Sequence, residues 1–175
     1  MFATIYLPNF YLQAAIRHQP ELREKPVALI EEQEKKPVII QLNEAAEEAG
    51  IRKGMTPSQA LARYLQVTIK ARGRTQEQSI QEILLHYAFT LSPFVEATEP
   101  GICTIQFTDN RALSIKVSRI IEQLAECEIT AQAGIAPEPD TSLLIAHLAR
   151  PVLEINDAKE FLAPLPIETL AMIGT

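Results

Sequence analysis

The order of the predicted elements from residue 75 onwards limits the fold more than any other feature of the sequence. A long amphipathic helix is predicted over 75–91, because apolar residues recur at about the 3.6-residue helical period, namely Ile80, Ile83, Leu84, Tyr87, Ala88 and Leu91. Two strand-like runs, 94–97 and 102–107, flank the turn dipeptide Pro100-Gly101. The order is completed by a helix over 113–124, a strand over 129–135, a helix over 141–149, a strand over 151–155 and a short helix over 157–163.

An earlier strand is predicted over 2–7, where a short apolar run ends at Pro8. Asn9 is expected to cap a helix over 10–18 that follows this strand. Together, the first strand and the later elements predict the α+β class. The expected layout is a ferredoxin-like split βαβ arrangement, with helices on one face of a mainly antiparallel sheet.

Residues 12–74 are predicted to form a small α/β subdomain that is inserted after the first strand. Strands and helices are expected in the order strand, strand, helix, helix, strand, over 26–30, 37–41, 43–50, 56–64 and 67–71. Asn43 is a predicted N-cap, and Thr56 is another that completes a capping box with Gln59. The charged run 31–36 is typical of a solvated hairpin loop.

The composition favours a cytoplasmic protein that binds DNA weakly. The 175 residues include 16 Lys and Arg against 22 Asp and Glu, a net charge of -6. Nucleic-acid binding draws on clustered cations, so this balance argues against strong DNA binding by the chain alone. Cys103 and Cys127 fit no metal or disulfide pattern. The sequence shows neither a signal peptide nor an apolar run long enough for a membrane helix.

Six short segments resemble motifs of the Y-family DNA polymerases and follow one another in the same order. They are Tyr6-Leu7-Pro8-Asn9-Phe10-Tyr11, PELREKPVA over 20–28, AGIRKGM over 49–55, QAL over 59–61, AGIAP over 133–137 and FLAPLPI over 161–167. This resemblance implies a palm-like domain over 1–11 and 75–165 and a fingers-like insert over 12–74. It also implies the start of a truncated thumb over 166–175, in a chain that is part of a longer protein.

The resemblance further implies that the metal-binding positions of the family hold uncharged residues here. The Asp-x-Asp motif of the family aligns with Tyr6 and Pro8, and its Asp-Glu pair aligns with Pro100 and Gly101. Polymerase chemistry uses carboxylates to hold two Mg²⁺ ions that stabilise the attacking and leaving oxygens. We therefore expect that the chain is not an enzyme and uses no metal or other cofactor.

The positions that bind the nucleotide in the family are altered too. Glu44 and Glu47 align with a Tyr and an Arg that hold the triphosphate, and two acids there would repel it. Tyr11 occupies the sugar-discriminating steric-gate position and is expected to pack in the core beside Phe10. No nucleotide binding is therefore expected.

This set of differences resembles the ImuB type of Y-family homologue. The resemblance implies a non-catalytic scaffold of a bacterial complex for translesion synthesis and DNA damage-induced mutagenesis. The implied partners are an error-prone C-family DNA polymerase of the ImuC type, an ImuA or RecA-like protein and the β sliding clamp. Their binding motifs are expected mostly beyond this chain.

Two other functions stay open from the sequence. The first is an active but divergent nucleotidyltransferase with relocated carboxylates, such as Glu96, Glu99 and Asp109. The three histidines do not support a metal site by their spacing; they are His18, His86 and His147.

The second alternative is a module that binds template DNA. The cation-rich stretch from residue 52 to residue 74 offers four candidate contacts to the DNA backbone, which are Arg52, Lys53, Arg72 and Arg74. The same stretch is also consistent with an ordinary solvated surface.

Overall fold

The computed structural model describes residues 1–31 and 36–166 of the chain. Its strands and helices, in chain order, are β1 (Phe2–Tyr6), α1 (Phe10–Ile16), β2 (Val27–Ile30), β3 (Ile39–Leu42), α2 (Glu44–Glu48), α3 (Pro57–Arg63), β4 (Thr68–Ala71), α4 (Arg74–Leu91), β5 (Val95–Glu99), β6 (Ile102–Gln106), α5 (Leu113–Glu126), β7 (Gln132–Ala136), α6 (Pro139–Leu148), β8 (Val152–Glu154) and α7 (Ala158–Leu162). A short 3₁₀ turn, Pro20–Leu22, lies between α1 and β2.

The chain divides into two compact units. The first contains Met1–Pro8 and the chain from Gln81 onwards, and the second contains Asn9–Ile80. The assignment of palm and fingers to 1–11, 75–165 and 12–74 stays a prediction. The predicted thumb start over 166–175 lies outside the described residues except for Pro166, and so does most of the charged run 31–36.

The first unit is built on a five-stranded sheet in the order β5-β6-β1-β7-β8. The neighbouring strands run antiparallel except for β7 and β8, which are parallel. Helix α6 packs on β7 and β1, and α5 packs on β7 and β8. The prediction of the α+β class with a mainly antiparallel sheet is therefore confirmed.

A buried polar contact and a glycine join the sheet of the first unit to α6. The hydroxyl of Thr4 on β1 hydrogen-bonds to that of Ser142 on α6 at 2.7 Å and to that of Thr104 on β6 at 3.0 Å. Gly134 on β7 lies against the backbone of α6, where a Cβ atom would meet the carbonyl oxygen of Ser142 and the amide nitrogen of Ala146. These contacts set how closely the helix approaches the strands.

The second unit contains a three-stranded sheet in the order β3-β2-β4. Strands β2 and β3 form the predicted hairpin, whereas β4 pairs with β2 in parallel. The cap predictions at Asn43 and Thr56 are confirmed: the side chain of Asn43 accepts from the amide of Ala46, and Thr56 forms the capping box with Gln59.

The cap prediction at Asn9 is wrong. Asn9 precedes α1 with a left-handed backbone at φ 49°, and its side chain makes no cap hydrogen bond. Its amide instead donates to the carbonyl of Leu42 at 3.3 Å. A contact with a strand distant in sequence has therefore replaced the local cap.

Among the described helices of both units, none is long and apolar enough to cross a membrane.

Candidate functional site

The end of β1 and the turn between β5 and β6 meet at one edge of the first unit. The amide of Leu7 donates to the carbonyl of Gly101 at 2.8 Å, and this bond brings the segment Tyr6–Pro8 next to Pro100-Gly101. Gly101 is buried and adopts φ 79°, a left-handed conformation that favours glycine. The structure thus brings together the four positions that align with metal ligands of the family. Their assignment as degenerate metal positions stays a prediction.

An aromatic pair occupies this edge. The ring of Tyr6 lies against the imidazole of His147 on α6, with ring centroids 4.0 Å apart and planes tilted by 37°. Burial raises the pKa of Tyr6. Burial also lowers the pKa of His147, an effect that the negative charge of Glu99 opposes. Both rings are therefore neutral at neutral pH, with one carboxylate within electrostatic range.

Two further polar side chains lie beside the pair. In the amide orientation that satisfies its neighbours, Gln132 donates to the carbonyl of Ala146 at 3.2 Å and accepts from the guanidinium of Arg150 at 3.0 Å. Gln132 is also the residue on β7 that pairs with Tyr6. The site therefore offers hydrogen-bonding groups, a guanidinium and Glu99. The proximity of these residues to Tyr6 could not be predicted from the sequence, because Gln132 is brought there by the pairing of β7 with β1 and His147 by the packing of α6.

The side chains at the four aligned positions do not fit a site for two Mg²⁺ ions. Mg²⁺ takes hard oxygen ligands, commonly carboxylates, and Pro8 and Gly101 have none in their side chains. Within residues 1–31 and 36–166, the structure brings no three His, Cys, Asp or Glu side chains together in a way that could hold a metal ion.

The three acids considered as relocated metal ligands have different surroundings. Glu96 and Glu99 are exposed on the edge strand β5. Asp109 follows β6, and its two carboxylate oxygens accept from the Nε and the Nη2 of Arg111, each at 3.0 Å. The hydrogen bonds from Arg111 lower the pKa of Asp109 to about 2. Asp109 is thus held by a local ion pair.

In the second unit, Tyr11 belongs to a network centred on Arg72. The guanidinium carbon of Arg72 lies 3.8 Å from the ring centroid of Tyr11. The same guanidinium donates to both carboxylate oxygens of Glu77 at 2.8 Å and to Glu31 at 2.8 Å. The hydrogen bond with Glu77 is the main cause that raises the pKa of Arg72. A DNA phosphate at Arg72 would have to compete with two carboxylates.

The other predicted nucleotide and DNA positions lie on the surface of the second unit. Glu44 and Glu47 are exposed in the first turn of α2, where acids interact favourably with the helix dipole. Arg52 is exposed and donates to the carbonyls of Glu47 and Ile51 at 2.6 and 2.7 Å. Lys53 and Arg74 are also exposed. Their roles in nucleotide or DNA binding stay predictions.

Comparison with known proteins finds a matching family model and several similar DNA polymerases. The model of the impB/mucB/samB family matches residues 5–147. DNA polymerase IV of Yersinia pestis (strain Pestoides F) is 26% identical over 178 residues, which cover 94% of this chain and 49% of that protein. DNA polymerase IV of Citrobacter koseri is 27% identical over 182 residues, which cover 94% of this chain and 50% of that protein. The chain thus spans about half the length of these curated relatives.

Solved structures show the same fold. The post-insertion binary complex of Dbh DNA polymerase superposes with a TM-score of 0.86 at 18% identity, over 99% of this chain and 54% of that chain. DinB from Sulfolobus solfataricus superposes with a TM-score of 0.82 at 16% identity, over 96% of this chain and 52% of that chain.

These comparisons correct the prediction that the chain is not an enzyme. The similar proteins are named as DNA polymerases, which are enzymes, and nothing in the matches indicates that catalytic residues have been lost. The family match covers well over half of the sequence. The chain therefore belongs to the impB/mucB/samB family and has the fold of the palm and fingers of a Y-family DNA polymerase.

Proposed function

We propose that the protein acts in the cytoplasm in DNA synthesis across damaged template bases, as a docking component of a translesion synthesis complex. The observation that supports this role is the edge where β1 ends. There the family fold is kept, but the ring of Tyr6 lies against that of His147 with centroids 4.0 Å apart, and Leu7, next to Pro8, donates to the carbonyl of Gly101. Aromatic side chains and Arg are enriched in protein–protein interfaces, so an edge that carries Tyr6 and Arg150 is suited to contacts with another protein.

The proposed partners follow from the resemblance to the ImuB type. They are an error-prone C-family polymerase, an ImuA or RecA-like protein and the β sliding clamp, all contacted mostly through regions beyond this chain. The resemblance of the six motifs to Y-family polymerases supports the damage-bypass context.

Reconstitution tests this proposal. The full-length protein is mixed with the C-family polymerase and a primer on a template with an abasic site, and bypass is followed with and without the protein. We expect a complex in size-exclusion chromatography and a higher yield of bypass product. If the folded protein neither joins the polymerase nor changes bypass, the proposal is wrong.

A second candidate is nucleotidyl transfer by the protein itself. The names of the relatives favour it, since they are DNA polymerases. Glu96 and Glu99 are the exposed acids of β5 that could contribute. Primer extension by the full-length protein alone, with Mg²⁺ or Mn²⁺, tests this function.

The contribution of those acids is tested by paired substitutions. If they take part, the double variant E96Q/E99Q loses primer extension, whereas E21Q/E122Q keeps it, because Glu21 and Glu122 are exposed acids on other elements. Equal extension by both double variants would show that the β5 acids are not involved.

A further inference from the structure

A groove with a volume of about 450 Å³ lies between α4 and α5 of the first unit. Its apolar part is formed by Leu91 from α4 and Ile120 from α5, and Ile120 is buried with 4% of its surface exposed. Tyr87 lines the groove and its hydroxyl contacts the sulfur of Cys127 at 3.6 Å, which joins α4 to the end of α5. The groove thus has an apolar floor held between two helices.

The charge of the groove is opposite to that of the chain. Lys116 and Arg119 line it from α5 and are exposed, and none of the described residues that line it is acidic. The chain as a whole carries a net charge of -6. Within the described part of the chain, neither cation forms an ion pair with a carboxylate. Asp109, which is within electrostatic range of Lys116, is itself held by Arg111.

An exposed apolar side chain lies on α5 next to these cations. Ile115 is 67% exposed and precedes Arg119 by one helical turn, so the two side chains are neighbours on the surface of α5. The contacts within this chain leave most of the apolar surface of Ile115 in water. A ligand that buried this surface would gain hydrophobic free energy. An exposed apolar side chain beside Arg119, which lines the groove, suits a ligand that is both apolar and acidic.

We propose that the α4–α5 groove docks a segment of a partner protein that is acidic and carries large apolar side chains at helical spacing. The apolar anchors occupy the floor at Leu91 and Ile120, while the carboxylates of the segment meet Lys116 and Arg119. This is the helix-in-groove mode of peptide recognition. The inference does not depend on the proposed function, because it rests on the shape and charge of this groove alone.

Two other occupants fit less well. A nucleic-acid backbone is bound by larger clusters of cations and gains little from an apolar floor, whereas the described residues that line this groove include two cations, Lys116 and Arg119. A second copy of the chain is disfavoured because each copy carries a net charge of -6, so the two molecules as a whole repel each other.

The test uses fluorescence anisotropy with labelled helical peptides of about 15 residues, a length that spans such a groove. One set carries Leu, Phe or Trp at two positions four residues apart, with Glu and Asp elsewhere. A matched set has Ala at both anchor positions. We expect saturable binding of the anchored set and at least about tenfold weaker binding of the Ala set, as loss of one or two buried apolar side chains predicts.

Paired charge reversals locate the site. We expect K116E/R119E to weaken binding of the anchored peptides at least about tenfold. The matched control K25E/R63E reverses two exposed cations of the second unit and is expected to bind as the unaltered protein does. Circular dichroism confirms that each variant is folded.

Several results would overturn the proposal. They are no saturable binding of any anchored peptide at low salt, equal binding of the Ala set, and equal loss in both charge-reversed variants. Tighter binding of single-stranded DNA than of peptide, lost in K116E/R119E, would assign the groove to nucleic acid instead. A dimer in light scattering that K116E/R119E dissociates would assign it to a second copy.

Discussion

At the scale of single residues, Gly134 fixes the approach of α6 to β7. A methyl group at this position would meet backbone atoms of Ser142 and Ala146, which cannot move without displacing the helix. Overpacking of this kind costs about 1–3 kcal/mol, and we expect G134A to lie at the upper end of that range. Urea unfolding measures the change. At Gly73 an added Cβ meets only the side chain of Gln76, so G73A is the control and should cost much less.

The two cysteines should differ in reactivity because their surroundings differ. Burial raises the pKa of Cys103 to about 12, so its thiol stays neutral up to pH 10 in the folded protein. The thiolate is the reactive form, and Cys103 is also shielded from reagents. Cys127 is only partly buried. At pH 8 to 10, we expect one thiol to react quickly with a disulfide reagent and the other only on unfolding.

The variant C127S provides the control for this labelling. It should show no fast reaction in the folded state and one reactive thiol in denaturant. Fast reaction of two thiols in the folded unaltered protein would mean that Cys103 is accessible, in contradiction to its burial in β6.

At the scale of elements, Asn43 does more than cap α2. Its side chain accepts from the amides of Ala46 and Val27, and it donates to the carbonyls of Arg23 and Lys25. Loss of an N-cap alone costs about 1 kcal/mol. Because N43A also removes bonds that tie β2 and the preceding turn to α2, we expect it to cost about 2–3 kcal/mol. Denaturant unfolding measures the difference.

The matched comparison for N43A is T56A at the start of α3. Thr56 forms a capping box only with Gln59, so T56A should cost about 1 kcal/mol. Equal costs for the two variants would show that the additional bonds of Asn43 contribute no net stability.

The same elements show what could be predicted from the sequence. The long helices follow from apolar periodicity, and the caps at Asn43 and Thr56 follow from local residue types, because both signals act over a few residues. Asn9 carried the same local signal, yet its amide bonds to Leu42 of β3. The parallel pairing of β4 with β2 likewise depends on contacts between distant segments.

The same distinction applies to the candidate site, where some features could be predicted from the sequence and others could not. The resemblance aligned Tyr6 and Pro8 with one motif of the family and Pro100-Gly101 with another, and the bond from Leu7 to Gly101 brings those segments together. His147 could not be associated with Tyr6 from the sequence, because their contact arises from the packing of α6 on β1. Residue types at aligned motif positions can thus be predicted from the sequence, whereas the contacts of a side chain with elements distant in sequence cannot.

At the scale of the whole molecule, the charge balance limits how the protein can bind DNA. The net charge is -6, and Arg72, one of four predicted backbone contacts, is already paired with Glu77 and Glu31. Arg52, Lys53 and Arg74 are left as exposed candidates. Each phosphate neutralised on single-stranded DNA contributes about -0.7 to the slope of log K against log salt concentration. We therefore expect weak binding with a slope no steeper than about -2.

Salt titrations of labelled single-stranded DNA measure this slope for the unaltered protein and for two variants. K53E/R74E removes two of the exposed candidates and should abolish measurable binding, since each new carboxylate also repels the phosphates. K116E/R119E makes the same change of charge in the α4–α5 groove of the first unit and should leave DNA binding nearly unchanged. A slope near -5, or an equal loss of binding in both variants, would show that DNA is held by a wider set of cations than the predicted contacts.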